Sequence, residues 1–143
     1  MSNTNLYVIA CATVVEELRP HLPAETPMRQ LDLGLHRDPD RLRQTLQDEI
    51  DAAPAGATVV LGYGLCGGGA AGLMARDKRV VIPRAHDCIA LFLGSREAHE
   101  AQVAQEVGTY YVTKGWLDQE DDLIGQYERC VRKYGPEDGP AIA

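Results

Sequence analysis

Apolar residues fall along this chain in short clusters of two kinds, unbroken runs and alternating or helically spaced sets. Leu6-Tyr7-Val8-Ile9-Ala10-Cys11 is an unbroken run rich in β-formers, which predicts a buried strand. Within Met28–His36, Leu31, Leu33 and Leu35 alternate with Asp32 and Gly34, the pattern of a half-buried second strand. Ala57–Leu61 and Arg79–Pro83 predict a third and a fourth strand, and Thr109–Thr113 a fifth. Pro83 closes the fourth, because proline cannot continue a central ladder. Helical signals lie between them. Thr13 with Glu16 three residues on forms a capping box for a helix that ends near Pro20–Pro23. Asp38 as N-cap and Pro39 in the first helical position open a second helix, on which Leu42, Leu46 and Ile50 mark one face. Ala70–Ala75, Ile89–Leu93 and Arg96–Val107 read as further helices. Glu120-Asp121-Asp122 opens a last one, with Leu123, Tyr127 and Tyr134 on one face.

The order βαβαβαβαβα predicts an α/β fold: an open parallel sheet of about five strands with helices on both faces, in Rossmann-like or flavodoxin-like layering. The expected organisation is one α/β domain over residues 6–134. Residues 135–143, with two prolines and two glycines, read as a flexible C-terminal tail.

Composition narrows the function classes. Of 143 residues, 21 are acidic and 14 basic, giving a net charge of −7, which argues against nucleic acid as the main partner. The 45% hydrophobic content excludes a disordered chain. No apolar run approaches the roughly 18–20 residues of a membrane span. Leu6–Ala12 is too short for an export signal and follows no basic stretch, so the expected compartment is the cytoplasm. Cysteines there bind metal or do chemistry more often than they form disulfides. Cys11, Cys66, Cys88 and Cys130 contain no CxxC pair, so a shared site requires the fold to bring distant segments together.

A parallel sheet does this. Ligands bind beyond the carboxyl ends of the strands, and the unusual residues collect there. Cys11 ends strand 1, His36 ends strand 2, and Cys66 follows strand 3. His86, Asp87 and Cys88 follow strand 4, and Lys114, Gly115 and Trp116 follow strand 5. Cys66 lies among Gly62, Gly64, Gly67, Gly68 and Gly69, a loop suited to close backbone approach and to cradling an anion. Cys11, Cys66 and Cys88 with His86 form a Cys3His set for zinc. The three thiolates alone suit an iron–sulfur cluster with one iron left open. Asp87 is placed to orient His86. Glu16, His36 and Lys114 are the candidate catalytic groups, and Gly62, Gly64, Gly67 and Trp116 the candidate cofactor-binding ones. Cys130, on the stripe of the last helix, reads as core. A thiol nucleophile at Cys66, with His86 as base, is the alternative chemistry.

These residues also carry a resemblance. Ile9-Ala10-Cys11 with Glu16, Asp32-Leu33-Gly34-Leu35-His36, Leu61-Gly62-Tyr63-Gly64-Leu65-Cys66-Gly67, Pro83-Arg84 with His86-Asp87-Cys88, Leu93-Gly94-Ser95, Gly108-Thr109-Tyr110-Tyr111 and Gly115-Trp116 resemble the bacterial and archaeal family called domain of unknown function 1638. The resemblance spans roughly Leu6 to Tyr134. Some relatives lie near corrinoid methyltransferase genes, so the resemblance implies a role in one-carbon or cofactor metabolism. It also implies further sequence in relatives beyond the position of Tyr134, against which this chain would be either a shorter version or one lacking part of the fold. Three readings stand open: a zinc or iron–sulfur protein, a metal-free cysteine enzyme, and a non-catalytic metallocofactor carrier. Each takes a small-molecule or metal ligand, and each leaves self-association into a homo-oligomer open.

Overall fold

The computed structural model describes residues 5–119 and 123–142. Four strands form one sheet: β1 (Leu6–Cys11), β2 (Met28–Leu31), β3 (Thr58–Gly62) and β4 (Arg79–Val81). Their order is β2-β1-β3-β4 and every pair is parallel. The α/β class and the parallel sheet are therefore as the alternation predicts. The two central strands explain their own sequences. Val8, Ile9, Ala10 and Cys11 are buried in succession, and Val59, Leu61 and Gly62 of β3 are buried with Val60 partly so, because a central parallel strand is covered on both faces. Arg29 and Gln30 of β2 and Arg79 and Val81 of β4 are exposed, as edge strands allow.

Helices α1 (Ala12–Leu18) and α2 (Pro39–Ala52) follow β1 and β2, and α3 (Cys88–Phe92) and α4 (Arg96–Gln105) follow β4. α2 forms as its sequence dictates. The Asp38 carboxylate accepts from the Arg41 amide at 3.0 Å, Pro39 sits in the first turn, and Leu42, Leu46 and Ile50 are wholly buried. Short α5 (Lys114–Leu117) is capped by Thr113, and α6 (Leu123–Ile142) runs across a break at Gly135.

Five expectations need correction. Among the described residues the sheet has four strands: Thr109–Thr113 joins no ladder. Its side chains instead line cavities, and Thr113 turns the chain into α5. The second strand stops at Leu31, because the Asp32 carboxylate accepts from the Gly34 amide at 2.7 Å and starts a 3-10 turn over Leu33–Arg37. Ala70–Ala75 is not helical. Gly68 (φ +93°) and Gly72 (φ +77°) break any right-handed run, and Arg43 and Gln47 of α2 bind the carbonyls of Gly68, Ala71 and Met74. Thr13 does not cap α1, which starts two residues earlier, from Cys11, with no side-chain cap. On α6, Tyr127 and Tyr134 are nearly half exposed and Cys130 is half-buried outside the core cluster, so this helix does not bury the stripe its spacing suggests. The expected opening of that helix at 120–122 lies outside the described residues.

Candidate functional site

The strand order reverses between β1 and β3, which opens a crevice beyond their carboxyl ends. Cys11 is the last residue of β1. Register pairs Ala10 with Gly62, so Tyr63 leaves β3 beside Cys11. The loop after Gly62 then runs along the segment leaving β4. The Leu65 amide donates to the Ala85 carbonyl at 2.8 Å and the Cys66 amide to the His86 carbonyl at 2.9 Å. This pairing brings Cys66 to Cys88. Cys88 opens α3, where the Asp87 carboxylate accepts from the Ile89 amide at 3.0 Å and the Ala90 amide at 3.3 Å. Cys11, Cys66, Cys88 and Tyr63 thus belong to one buried cluster, and all three cysteines are free.

The glycines serve this packing. A Cβ on Gly62 would lie 2.6 Å from that of Ala10, and one on Gly64 would lie 2.7 Å from the Asp87 nitrogen. Gly115 lies against the Thr13 backbone, so α5 seats directly on the start of α1. The amides of Leu65, Cys66, Gly68, Gly69 and Ala70 are spent on carbonyls of the protein, so these five are not offered to an anion. Cys66 itself adopts φ +49°, the left-handed region that costs a residue with a Cβ roughly 1 kcal/mol or more.

Electrostatically the thiols behave as a group. Burial, together with the charge a neighbouring cysteine would carry, pushes Cys66 up to about 11 and Cys88 up to about 12. Burial also raises Cys11, while the buried Thr13 hydroxyl, donating to its sulfur at 3.3 Å, works the other way. Tyr63 is raised by burial and then by the nearby Cys11, Cys66, Asp32 and Cys88.

His36 flanks the cluster. Its ring stacks on Tyr63 at 5.9 Å between centroids. Its Nδ1 lies 3.1 Å from the Leu33 carbonyl, which only accepts, so Nδ1 carries the proton and Nε2 presents a lone pair. That Nε2 is buried without a hydrogen-bond partner among the described residues. Burial lowers the His36 pKa, the hydrogen bond to Leu33 opposing. The sign follows: a neutral buried imidazole contributes stability above the ordinary 6.5, and that stability is lost as pH falls towards the lower folded value. Urea unfolding of wild type should therefore weaken on acidification below pH 6.5 by up to about 1.4 kcal/mol per unit more than that of His36→Gln. Parallel slopes for the two proteins would contradict it.

Beside His36 a cavity of about 310 Å³ is lined by Leu33, Arg37, Tyr110 and Trp116, among others. Trp116 also packs on the core, so it stands between the cavity and the buried cluster.

The remaining sequence candidates lie elsewhere. The His86 side chain is exposed, and its carbonyl is what serves Cys66. Asp87 caps α3 and pairs distantly with His99, 3.9 Å away, rather than orienting His86. Glu16 is exposed, and Lys114 is an exposed cation paired with Asp118. Gly67 is exposed with φ +66°. Sequence reading missed Thr13, Tyr63 and Tyr110 as site residues. For Tyr63 the available signal was a large aromatic between two glycines, three positions before Cys66.

A family model described as a protein of unknown function (DUF1638) matches residues 30–142, a span that contains Cys66 and Cys88 and excludes Cys11. No curated protein and no solved structure matches the chain.

Proposed function

Taking as premise that the chain belongs to the DUF1638 family, we propose that Cys11, Cys66 and Cys88 are the thiolate ligands of a zinc ion or an iron–sulfur cluster, with one position left for a small molecule. The observation that carries this is that three free thiols, from the end of β1 and from the segments after β3 and β4, share one buried cluster. The donor set fits a thiophilic metal by its chemistry. Neutral buried thiols stay protonated alone, and a bound cation deprotonates them and offsets the charge. As the side chains stand, no three His, Cys, Asp or Glu groups among the described residues are close enough to hold a metal ion; Cys11, Cys66 and Cys88 are the residues that would have to close on one. Thr13 then donates to the Cys11 thiolate, and Trp116 and Tyr110 line the approach through the cavity at His36. When bound, the metal supplies Lewis-acid or electron-transfer chemistry.

The metal-free nucleophile is less well supported. A thiol near 11 is ionised in only about one molecule in ten thousand at neutral pH, and His86 is exposed. A non-catalytic carrier would use the same three cysteines and differs only in lacking turnover.

Cobalt titration of the anaerobic, reduced protein tests the proposal. Sulfur-to-cobalt charge-transfer absorption should saturate at one equivalent in wild type and in Cys130→Ala. It should weaken in each of Cys11→Ala, Cys66→Ala and Cys88→Ala. Absence of that band in wild type, or its indifference to all three changes, would sink it.

A further inference from the structure

The ladder between β3 and β4 ends early. It pairs Thr58 with Arg79, Val59 with Val80 and Val60 with Val81, which leaves Leu61 and Gly62 without a partner from β4. Pro83 cannot donate to a longer ladder, and Thr109–Thr113 does not join it. Leu61, Gly62 and Pro83 instead line a cavity of about 600 Å³, within the roughly 300–1,000 Å³ of small-molecule sites. Leu18 of α1, Phe92 of α3 and Val112 supply much of its apolar wall. This cavity stands apart from the buried cluster and from the cavity at His36: none of the three cysteines lines it, and the two cavities share no residue.

The polar side chains in the wall identify the guest. Thr113 is engaged, its hydroxyl accepting from the Trp116 amide at 3.3 Å. Glu17, near the end of α1, and His21, in the turn that follows, are the other two. Among the described residues no Lys or Arg lines the cavity, so a carboxylate or a phosphate would meet no fixed cation and would face the Glu17 carboxylate. An amine brings what the wall lacks, a positive charge with several donors. We infer that this cavity binds a primary alkyl amine, its apolar body against Leu18, Phe92 and Val112 and its ammonium at Glu17. The net charge of −7 favours approach of such a cation.

Methyl-resolved NMR titration with hexylamine, hexanol and hexanoate decides it, at about pH 8, where a free imidazole is neutral and an alkyl amine is charged. Shifts on adding hexylamine should fall on Leu18, Leu61, Leu91 and Val112, and leave Leu33 beside the other cavity unmoved. Hexylamine should bind about threefold more tightly than hexanol, as an exposed ion pair allows, and hexanoate should bind weakest. Butylamine, two methylenes shorter, should bind roughly tenfold more weakly than hexylamine. Glu17 is exposed, so its variants should melt with wild type. Glu17→Gln should bind hexylamine and hexanol alike, and Glu17→Lys should prefer hexanoate to hexylamine. Equal affinity of wild type for hexylamine and hexanoate, or an order unchanged in Glu17→Lys, would overturn the assignment of an amine. No shift with any probe would overturn the site itself, as would a concentration-dependent dimer in which a second copy of the chain covers these methyls.

Discussion

Gly64→Ala should destabilise the protein by about 3 kcal/mol and scatter the three thiols. The added Cβ would lie 2.7 Å from the Asp87 nitrogen, 2.8 Å from its Cα and 2.9 Å from the Ala85 oxygen. All three are backbone atoms, so no side chain can swing aside. The chain must separate the glycine loop from the segment leaving β4, which breaks the amide–carbonyl bonds of Leu65 to Ala85 and Cys66 to His86. These are the bonds that bring Cys66 to Cys88. A shift in urea midpoint and faster alkylation of Cys66 and Cys88 check it. Gly56→Ala is the contrast. Gly56 has φ +71° and open space around it, so only the left-handed backbone is penalised, at about 1 kcal/mol, with no change in thiol reactivity. Equal effects at the two glycines would mean that close approach at Gly64 matters no more than turn geometry.

Cys66→Ala should weaken zinc binding at least ~100-fold, more than the 10–100-fold typical of removing a hydrogen-bond partner of a ligand. Its effect on the metal-free fold should be small, within about 1–2 kcal/mol, because the substitution removes one sulfur. Cys66→Gly adds a sharper comparison. Cys66 holds φ +49°, a conformation free to glycine, so the glycine variant regains roughly 1 kcal/mol of backbone strain relative to alanine. It too should lose the metal. A position that carries strain glycine would remove is a position kept for its side chain.

How far the sequence foretold this depends on what each feature rests upon. β1 and β3 were legible because central parallel strands read as continuous apolar runs, and α2 because its cap, its proline and its Leu42–Leu46–Ile50 stripe agree. The segment Thr109–Thr113 has strand composition, but a strand exists only where an edge accepts it, and that is decided in three dimensions. Alanines at 70–75 favour a helix, yet two glycines with positive φ decide against one. At the site, the cysteines were legible because parallel strands put their ends on one edge. The choice between the exposed His86 and the half-buried His36 was not, since burial of a loop histidine depends on tertiary packing. Thr13 carried the right signature for the wrong role: its hydroxyl reaches the Cys11 sulfur, not a helix amide. Tyr63 was hidden among the glycines that let it pack.

Metal analysis of anaerobically purified wild type beside Cys66→Ala tests the central claim most directly. Wild type should hold stoichiometric metal, colourless if zinc and brown if an iron–sulfur cluster, and Cys66→Ala should lose it. Wild type without stoichiometric metal, or a metal content indifferent to the substitution, would contradict it.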